Sequence, residues 1–392
     1  MTTIYLIRHA EAEGNIYRRI HGWYDAQVTG NGLAQIEALA GRFRDVQVDA
    51  VYSSDLCRTM TTAQAVCRPK GLPLRTDPDL REIHMGELED RPWGEWNHSA
   101  PREMARFTGQ DPTWKAPGGE SFREVGDRMT GALLRIARRH PGQTVAVFSH
   151  GAAIRQTLSQ IKGFPPERWS ETPHGENTSV SKLIFDGERL SVEYEVDASH
   201  LDSSICTLSR QNWWRRDGSG PRDVGLWYRP AGQPGDRDLY LEARRDAWLT
   251  THGVSAFFDG ESFLRAAEVH LSSTDQGVLF AMSEDTLVGV LELDPVRYRE
   301  NNAGYVPFCY IRPQFRQKNM GVQLIGQAVS FFRPLGRRCL RLRCAPYNWR
   351  AQRFYAKYGF AKIGEESKSR VPLDILEKNI SYAPPLVWAQ EH

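Results

Sequence analysis

Two histidines each follow directly on a short apolar run: Arg8-His9 after residues 4–7, and Ser149-His150-Gly151 after residues 145–148. A third run, residues 48–52, leads into Ser53-Ser54-Asp55-Leu56-Cys57-Arg58. If these runs are neighbouring parallel strands, ligands bind outside their carboxyl ends, and both imidazoles meet Arg8 and Arg58 in one crevice. That set suits a phosphoryl group. Guanidinium forks match phosphate oxygens, and an imidazole nitrogen with a free lone pair attacks phosphorus. A second place of chemical interest is the basic loop Arg316-Gln317-Lys318-Asn319-Met320-Gly321, set between a strand pattern and a helix pattern. Backbone N–H groups converging where a helix begins form an anion cradle.

The elements that must position these residues are legible as periodicities. Residues 30–43 carry apolar side chains at helical spacing, as do residues 55–67, and Ser121-Phe122-Arg123-Glu124 reads as a capping box opening a helix that stops at His140-Pro141-Gly142. Strands alternating with helices predict a parallel sheet between helical layers. Residues 183–185 and 190–196, split by Asp186-Gly187, predict an edge hairpin. Further on, residues 286–293 and 305–311 read as an antiparallel pair. Residues 322–332 read as a helix, 339–344 as a half-buried strand, and Asn348 opens another helix.

At 392 residues the chain is long enough for two domains. Turn formers dominate from Ser203 to Pro234, including Trp213-Trp214-Arg215-Arg216 and Gly218-Ser219-Gly220-Pro221. This predicts a first domain over 1–203, a linker or start of the second over 204–235, and a second domain over 236–392. The balance of 50 Lys+Arg against 48 Asp+Glu argues against nucleic acid or an anionic membrane as partner. Six cysteines without a Cys-x-x-Cys pair fit reduced thiols, and residues 1–9 carry no basic leader or long apolar run. Together these predict a cytoplasmic protein.

The first half resembles the histidine phosphatase superfamily, over about residues 3–201. The resemblance is carried by Arg8-His9-Ala10-Glu11 with Asn15, Ser53 to Thr59 with Thr62-Ala63, Leu80 to Gly86, Gly118-Gly119-Glu120-Ser121, and Ser149-His150-Gly151. It implies His9 as a nucleophile that becomes phosphohistidine, Arg8, Arg58 and His150 as a phosphate clamp supplying positive charge without a metal, Glu82 as general acid with a raised pKa, and Asn15 lining the pocket. Ala10 stands where the family has Gly. The interval between Glu82 and Gly119, about 37 residues, is short for a mutase enclosing a bisphosphoglycerate, which favours a phosphatase. The stretch from Trp93-Gly94-Glu95-Trp96 to Trp114 is expected to cover the pocket and set specificity.

From about residue 239 to Trp388 the chain resembles the GNAT acyltransferases, on the Arg316–Gly321 loop and the segment from Asn348 through Tyr355 to Phe360. The resemblance implies that Arg316, Gln317, Lys318, Asn319, Met320 and Gly321 bind the pyrophosphate of acetyl-CoA. It further implies that Asn348 and the backbone of Tyr310, Ile311 and Arg312 contact the pantetheine arm, and that Tyr355 protonates the leaving thiolate. Asn319 replaces the loop's first Gly, and Glu292 is a candidate base for the amine.

The expected architecture is α/β: an N-terminal three-layer domain with a mostly parallel sheet, then a mixed-sheet α+β acyltransferase fold. The expected function is bifunctional, hydrolysing a small-molecule phosphomonoester and transferring an acetyl or acyl group from CoA to a small-molecule amine or other acceptor. Three alternatives stand beside it: a phosphatase with an inactive CoA- or ligand-binding regulatory domain, a phosphoglycerate mutase-like phosphotransferase, and a non-catalytic phospho-ligand module.

Overall fold

The first strand, β1 (Thr2–Arg8), shows how the N-terminal sheet is covered on both faces. Side chains alternate along a strand. Thr2 therefore bonds the Ala137 carbonyl on one side, while Tyr5 meets Phe43 edge-on at 5.3 Å on the other. The computed structural model describes residues 1–211, 225–366 and 372–382. The predicted linker features Trp213–Arg216 and Gly218–Pro221, and Trp388, lie outside the described residues.

Six strands form the first sheet, with β2 (Ala50–Ser53), β3 (Leu74–Thr76), β4 (Thr144–Ser149), β5 (Val180–Phe185) and β6 (Leu190–Asp197) joining β1 in the order β3-β2-β4-β1-β5-β6. The first four are mutually parallel, and β5 and β6 run antiparallel at one end. Helices α1 (Glu13–Tyr17), α2 (Gly30–Phe43), α3 (Cys57–Lys70), α4 (Trp93–Ser99), α5 (Pro101–Thr108), α6 (Phe122–Arg139) and α7 (Gly151–Ile161) fill the connections. Leu39 and Phe43 of α2 and Ala63 and Val66 of α3 share a core with Ile7, Val51 and Phe148. The capping box at Ser121 is formed: its side chain accepts from Glu124 N–H, and the Glu124 carboxylate accepts from Ser121 N–H at 2.7 Å.

The second sheet comprises β7 (Trp227–Pro230), β8 (Val278–Ser283), β9 (Thr286–Asp294), β10 (Ala303–Ile311), β11 (Cys339–Cys344), β12 (Ala361–Glu366) and β13 (Leu373–Asn379), in the order β12-β13-β11-β10-β9-β8-β7. With it go α8 (Asp236–His252), α9 (Gly260–Ser273), α10 (Gly321–Phe332) and α11 (Trp349–Lys357). Among the described strands of this sheet only β10 and β11 are parallel, because α10 carries the chain back between them. Their pairing stops after Val306 and Leu342, so the two strands part beyond that point. The chain divides into two compact units, one made of Met1–Arg91 with the described residues of Ser99–Asp223, the other of Pro92–His98 with those of Val224–Tyr382. None of the described helices is long and apolar enough to cross a membrane.

Candidate active sites

Strand register brings the first site together. Arg8 of β1 pairs with Ser149 of β4, so His9 and His150 each stand one residue beyond the ends of adjacent parallel strands, with ring centroids 5.3 Å apart. His9 is buried, and its Nδ1 lies 2.7 Å from the Ala10 carbonyl. A carbonyl only accepts, so Nδ1 carries the proton and Nε2 keeps its lone pair. Burial, then the charges of Arg58 and Arg8, hold the ring well below its ordinary pKa and therefore neutral. Ala10 lies outside the left-handed region, so the absent Gly costs no strain.

Arg58 is fully buried in the first turn of α3, and four of its five donors are committed. Nε donates to His150 Nδ1 at 3.2 Å, Nη1 to the Tyr24 carbonyl at 3.0 Å, and Nη2 to the carbonyls of His21 and Gly22 at 3.1 and 2.7 Å. The other Nη1 hydrogen has no acceptor among the described residues. Arg8 is freer: Nη1 donates to the Gly175 carbonyl at 2.6 Å, while its Nε is shut off from solvent with no partner among the described residues. A buried unmet donor on a guanidinium whose charge acts on the His9 ring is an anion-receptive feature.

His150 departs from expectation. Its Nδ1 accepts from Arg58 and its Nε2 lies 2.8 Å from Ser54 Oγ, so both nitrogens are engaged. Burial, with Arg58 beside it, keeps the ring well below its ordinary pKa. His150 is therefore neutral, and the positive charge in the pocket belongs to the arginines. Asn15 also differs, because its Oδ1 turns back to accept from Ala12 N–H at 2.9 Å and helps open α1. Glu82 is moored at the amino end of α7, where its oxygens accept from the N–H groups of Ala152 and Ala153 at 3.0 and 2.7 Å, and from Ile83 at 2.9 Å. In the expected covering segment, Trp96 and Trp114 are 3% and 1% exposed, and Trp114 packs on Phe107 and Phe122. These two tryptophans are packing residues.

Sequence reasoning missed His21, Glu89 and Ser54. His21 stands 5.9 Å from His9, ring to ring. Glu89 accepts from the N–H groups of Gly22, Trp23, Tyr24 and Met85, and thereby shapes the loop whose carbonyls hold Arg58. His21 and Glu89 sit at no strand end, whereas Ser54 stands one residue beyond β2, where its Oγ meets His150 Nε2. The only local signal is Gly14, where a Cβ would come within 2.0 Å of the His21 ring.

In the second unit the loop before α10 has left-handed backbone at Gln317 (φ 65°) and Asn319 (φ 54°). Asn is among the residues that tolerate this region, which explains how it stands in place of Gly. The Met320 cap position provides no side-chain bond, so the first N–H groups of α10 have no side-chain cap. A Cβ on Gly321 would lie 3.1 Å from the Phe354 ring, which keeps this approach tight. These features fit an acyl-CoA pyrophosphate. Arg316, however, donates to the Ile311 carbonyl at 2.8 Å and to Asp246 at 2.7 Å. Arg312 N–H belongs to the ladder, donating to the Val288 carbonyl, so by alternation the N–H groups of Cys309 and Ile311 face the parted edge. Asn348 caps α11 through Ala351 N–H, and Lys318 lies over the Phe315 ring.

Tyr355 on α11 is buried, and burial together with Cys309 and Cys344 raises its hydroxyl well above the ordinary pKa. Glu292 is fully buried among partners: it accepts from Tyr240, Arg244 and His270 Nδ1, the last at 2.6 Å. His270 Nε2 in turn lies 3.3 Å from Asp294. Glu292 thus anchors α8 and α9 to β9 and is enclosed by those helices, which replaces the expectation of a base.

Comparison with known proteins agrees with this division. The family described as "Histidine phosphatase superfamily (branch 1)" matches residues 4–197, and "Acetyltransferase (GNAT) family" matches 238–360. Phosphoglycerate mutase-like protein 4 of Arabidopsis thaliana is 33% identical over 204 residues, covering 51% of this chain and 87% of that protein. A probable phosphoglycerate mutase GpmB of Serratia proteamaculans is 36% identical over 165 residues, covering 42% and 77%. Among solved structures, Bacillus stearothermophilus YhfR is similar with a TM-score of 0.49 and 33% identity, covering 52% of this chain and 100% of that one. The chain therefore belongs to the histidine phosphatase superfamily through its N-terminal half and carries a GNAT-family domain over residues 238–360.

Proposed function

We propose that the chain is a bifunctional cytoplasmic enzyme, with a phosphomonoesterase over residues 1–203 and an acyl-CoA-dependent N-acyltransferase over 236–392. The observation that carries the first activity is the tautomer of His9. Its Nδ1 is tied to the Ala10 carbonyl, which leaves the lone pair on Nε2. Nε2 attacks phosphorus, and the P–O bond to the leaving group breaks as Glu82 hands that oxygen a proton. Arg8 and the remaining hydrogen of Arg58 hold the equatorial oxygens. Water, losing a proton to Glu82, then attacks the phosphohistidine, releasing inorganic phosphate and restoring His9. The short Glu82–Gly119 connection supports hydrolysis over the mutase activity named for the relatives. His9→Ala should lower hydrolysis of p-nitrophenyl phosphate at least about a thousandfold. Parent-rate turnover in that variant would remove the mechanism.

For the second activity, the Arg316–Gly321 loop and the first turn of α10 would hold the pyrophosphate of an acyl-CoA. That co-substrate supplies an activated thioester. Tyr355 keeps its proton because it is buried beside Cys309, which suits a group that protonates a leaving thiolate. Micromolar acetyl-CoA binding by calorimetry, lost in Gly321→Glu through collision with Phe354, is the expected result. A second reading, a CoA-binding regulatory domain without transfer, draws on the engagement of Arg316 by Asp246. Binding without acetylation of any of a panel of amines would select it.

A further inference from the structure

The loop of residues 175–179, just before β5, holds the backbone of the first site. The Gly175 carbonyl accepts from Arg8 Nη1 at 2.6 Å. Asn177 Nδ2 donates to the His9 carbonyl at 2.9 Å, and Thr178 N–H donates to the same oxygen at 3.3 Å. Ser179 completes the set, its carbonyl accepting from Arg8 N–H at 3.1 Å. This loop is strained. Thr178 has φ 60°, in the left-handed region that a β-branched residue rarely occupies, and such a conformation persists only where the surroundings hold it.

The hold comes from residues 200–208, which follow β6 and run into the stretch expected to be a linker. His200 Nε2 lies 3.1 Å from Thr178 Oγ1. The Glu176 carboxylate, between the residues that hold Arg8 and His9, accepts from the N–H groups of Asn177 at 2.9 Å, Thr207 at 3.0 Å and Leu208 at 2.8 Å. Thr207 and Leu208 are buried, so their N–H groups depend on that carboxylate. Thr207 Oγ1 has partners of its own: it donates to Glu11 at 2.9 Å and accepts from Gln35 Nε2 at 3.0 Å. The Gln35 side-chain oxygen in turn accepts from Glu11 N–H at 2.8 Å. Thr207 thus ties the loop before β5 to the chain two residues after His9.

We infer that Glu176 is a positioning residue for the phosphatase reaction: by fastening residues 175–178 to the buried brace at Thr207 and Leu208, it sets the reach of Arg8 and the seat of His9. The inference rests on the phosphatase reading and extends its machinery beyond the last strand of the sheet. Glu176 touches no reacting atom and acts through those two residues. A displacement of about 1 Å in groups of this kind costs up to about a hundredfold in rate.

Glu176→Gln keeps the size of the side chain but offers one accepting oxygen in place of two. In the full chain it should lower kcat/KM for p-nitrophenyl phosphate by about tenfold or more, and raise the inhibition constant of inorganic phosphate by a similar factor. Neither KM nor that constant depends on how much of the protein is folded, so a merely structural role would leave both unmoved. Charge alone would act in the opposite direction. Burial lowers the pKa of Arg8 and Glu176 is the foremost charge opposing it, so neutralising Glu176 without moving Arg8 would tighten phosphate binding. Thr207→Val removes the hydroxyl and keeps the N–H; it should shift both quantities the same way by a smaller factor, with Thr207→Ser close to the parent. An unchanged or lowered phosphate constant in Glu176→Gln overturns the inference. Should that variant fail to fold, parent-like constants in Thr207→Val overturn it instead. A parent protein that neither hydrolyses p-nitrophenyl phosphate nor binds inorganic phosphate removes the phosphatase reading itself, and this inference falls with it.

Discussion

Glu89 touches no substrate in the proposed reaction, yet its replacement by Gln should damage the phosphate clamp. One carboxylate oxygen accepts from Trp23 and Met85 N–H at 2.7 and 2.9 Å, the other from Gly22 and Tyr24 N–H at 3.1 and 2.8 Å. The same loop offers the carbonyls of His21, Gly22 and Tyr24 to Arg58. Glutamine keeps one accepting oxygen and turns an NH2 group on the other two amides. Bonds to a charged acceptor are worth about 1.5–3 kcal/mol each, so two lost bonds amount to roughly 3–6 kcal/mol before water and relaxation recover part. If about half of that reaches the position of Arg58, kcat/KM falls by about tenfold to a hundredfold at ~1.4 kcal/mol per decade. The assay is steady-state hydrolysis of p-nitrophenyl phosphate together with inhibition by inorganic phosphate. Weaker phosphate inhibition should accompany the loss if Arg58 holds phosphate as proposed, and Glu89→Asp should restore part of both. A Glu89→Gln protein within threefold of the parent in kcat/KM and phosphate inhibition would refute the chain of contacts from Glu89 to Arg58.

Burial and the neighbouring arginines hold His9, His21 and His150 neutral, so the pH profile of kcat/KM should show no ionisation near 6.5 on its acid side. An acid limb at that value, absent from a His9 variant with residual activity, would contradict the electrostatics. In the second unit, burial opposes charge on His270, but Asp294 and Glu292 outweigh it and raise its pKa from 6.5 to about 9. A raised folded-state pKa stabilises fully below the unfolded value and is lost as pH climbs through the folded one. The unit should therefore lose up to about 3 kcal/mol between pH 6.5 and 9, read as a falling urea midpoint that His270→Asn flattens. Tyr355→Phe should bind acetyl-CoA as the parent does while transferring acetyl at least about tenfold more slowly, measured by thiol release.

Periodicity and spacing were enough to place His9 and His150 at strand ends, because the alternation that buries Ile4, Leu6 and Val147 also dictates where each strand must stop being apolar. The capping box at Ser121 and the helix after Gly321 were legible for the same reason, since caps and helical stripes are set by residues within a turn or two of one another. The protonation and pairing of the site lay beyond that range. His150 is neutral because burial, and then Arg58, which is 92 residues away in the chain and occupies its Nδ1, hold it so. Glu292 is enclosed because Tyr240, Arg244 and His270 converge on it from two helices. His21 and Glu89 carry no periodic signature at all, and their placement follows from a loop folding back on α1 and on the segment after Glu82. What the amino-acid order determined alone was which groups stand at the ends of which elements. Their tautomers, charges and free lone pairs were decided by tertiary packing, since desolvation and hydrogen-bond partners are supplied by residues remote in sequence.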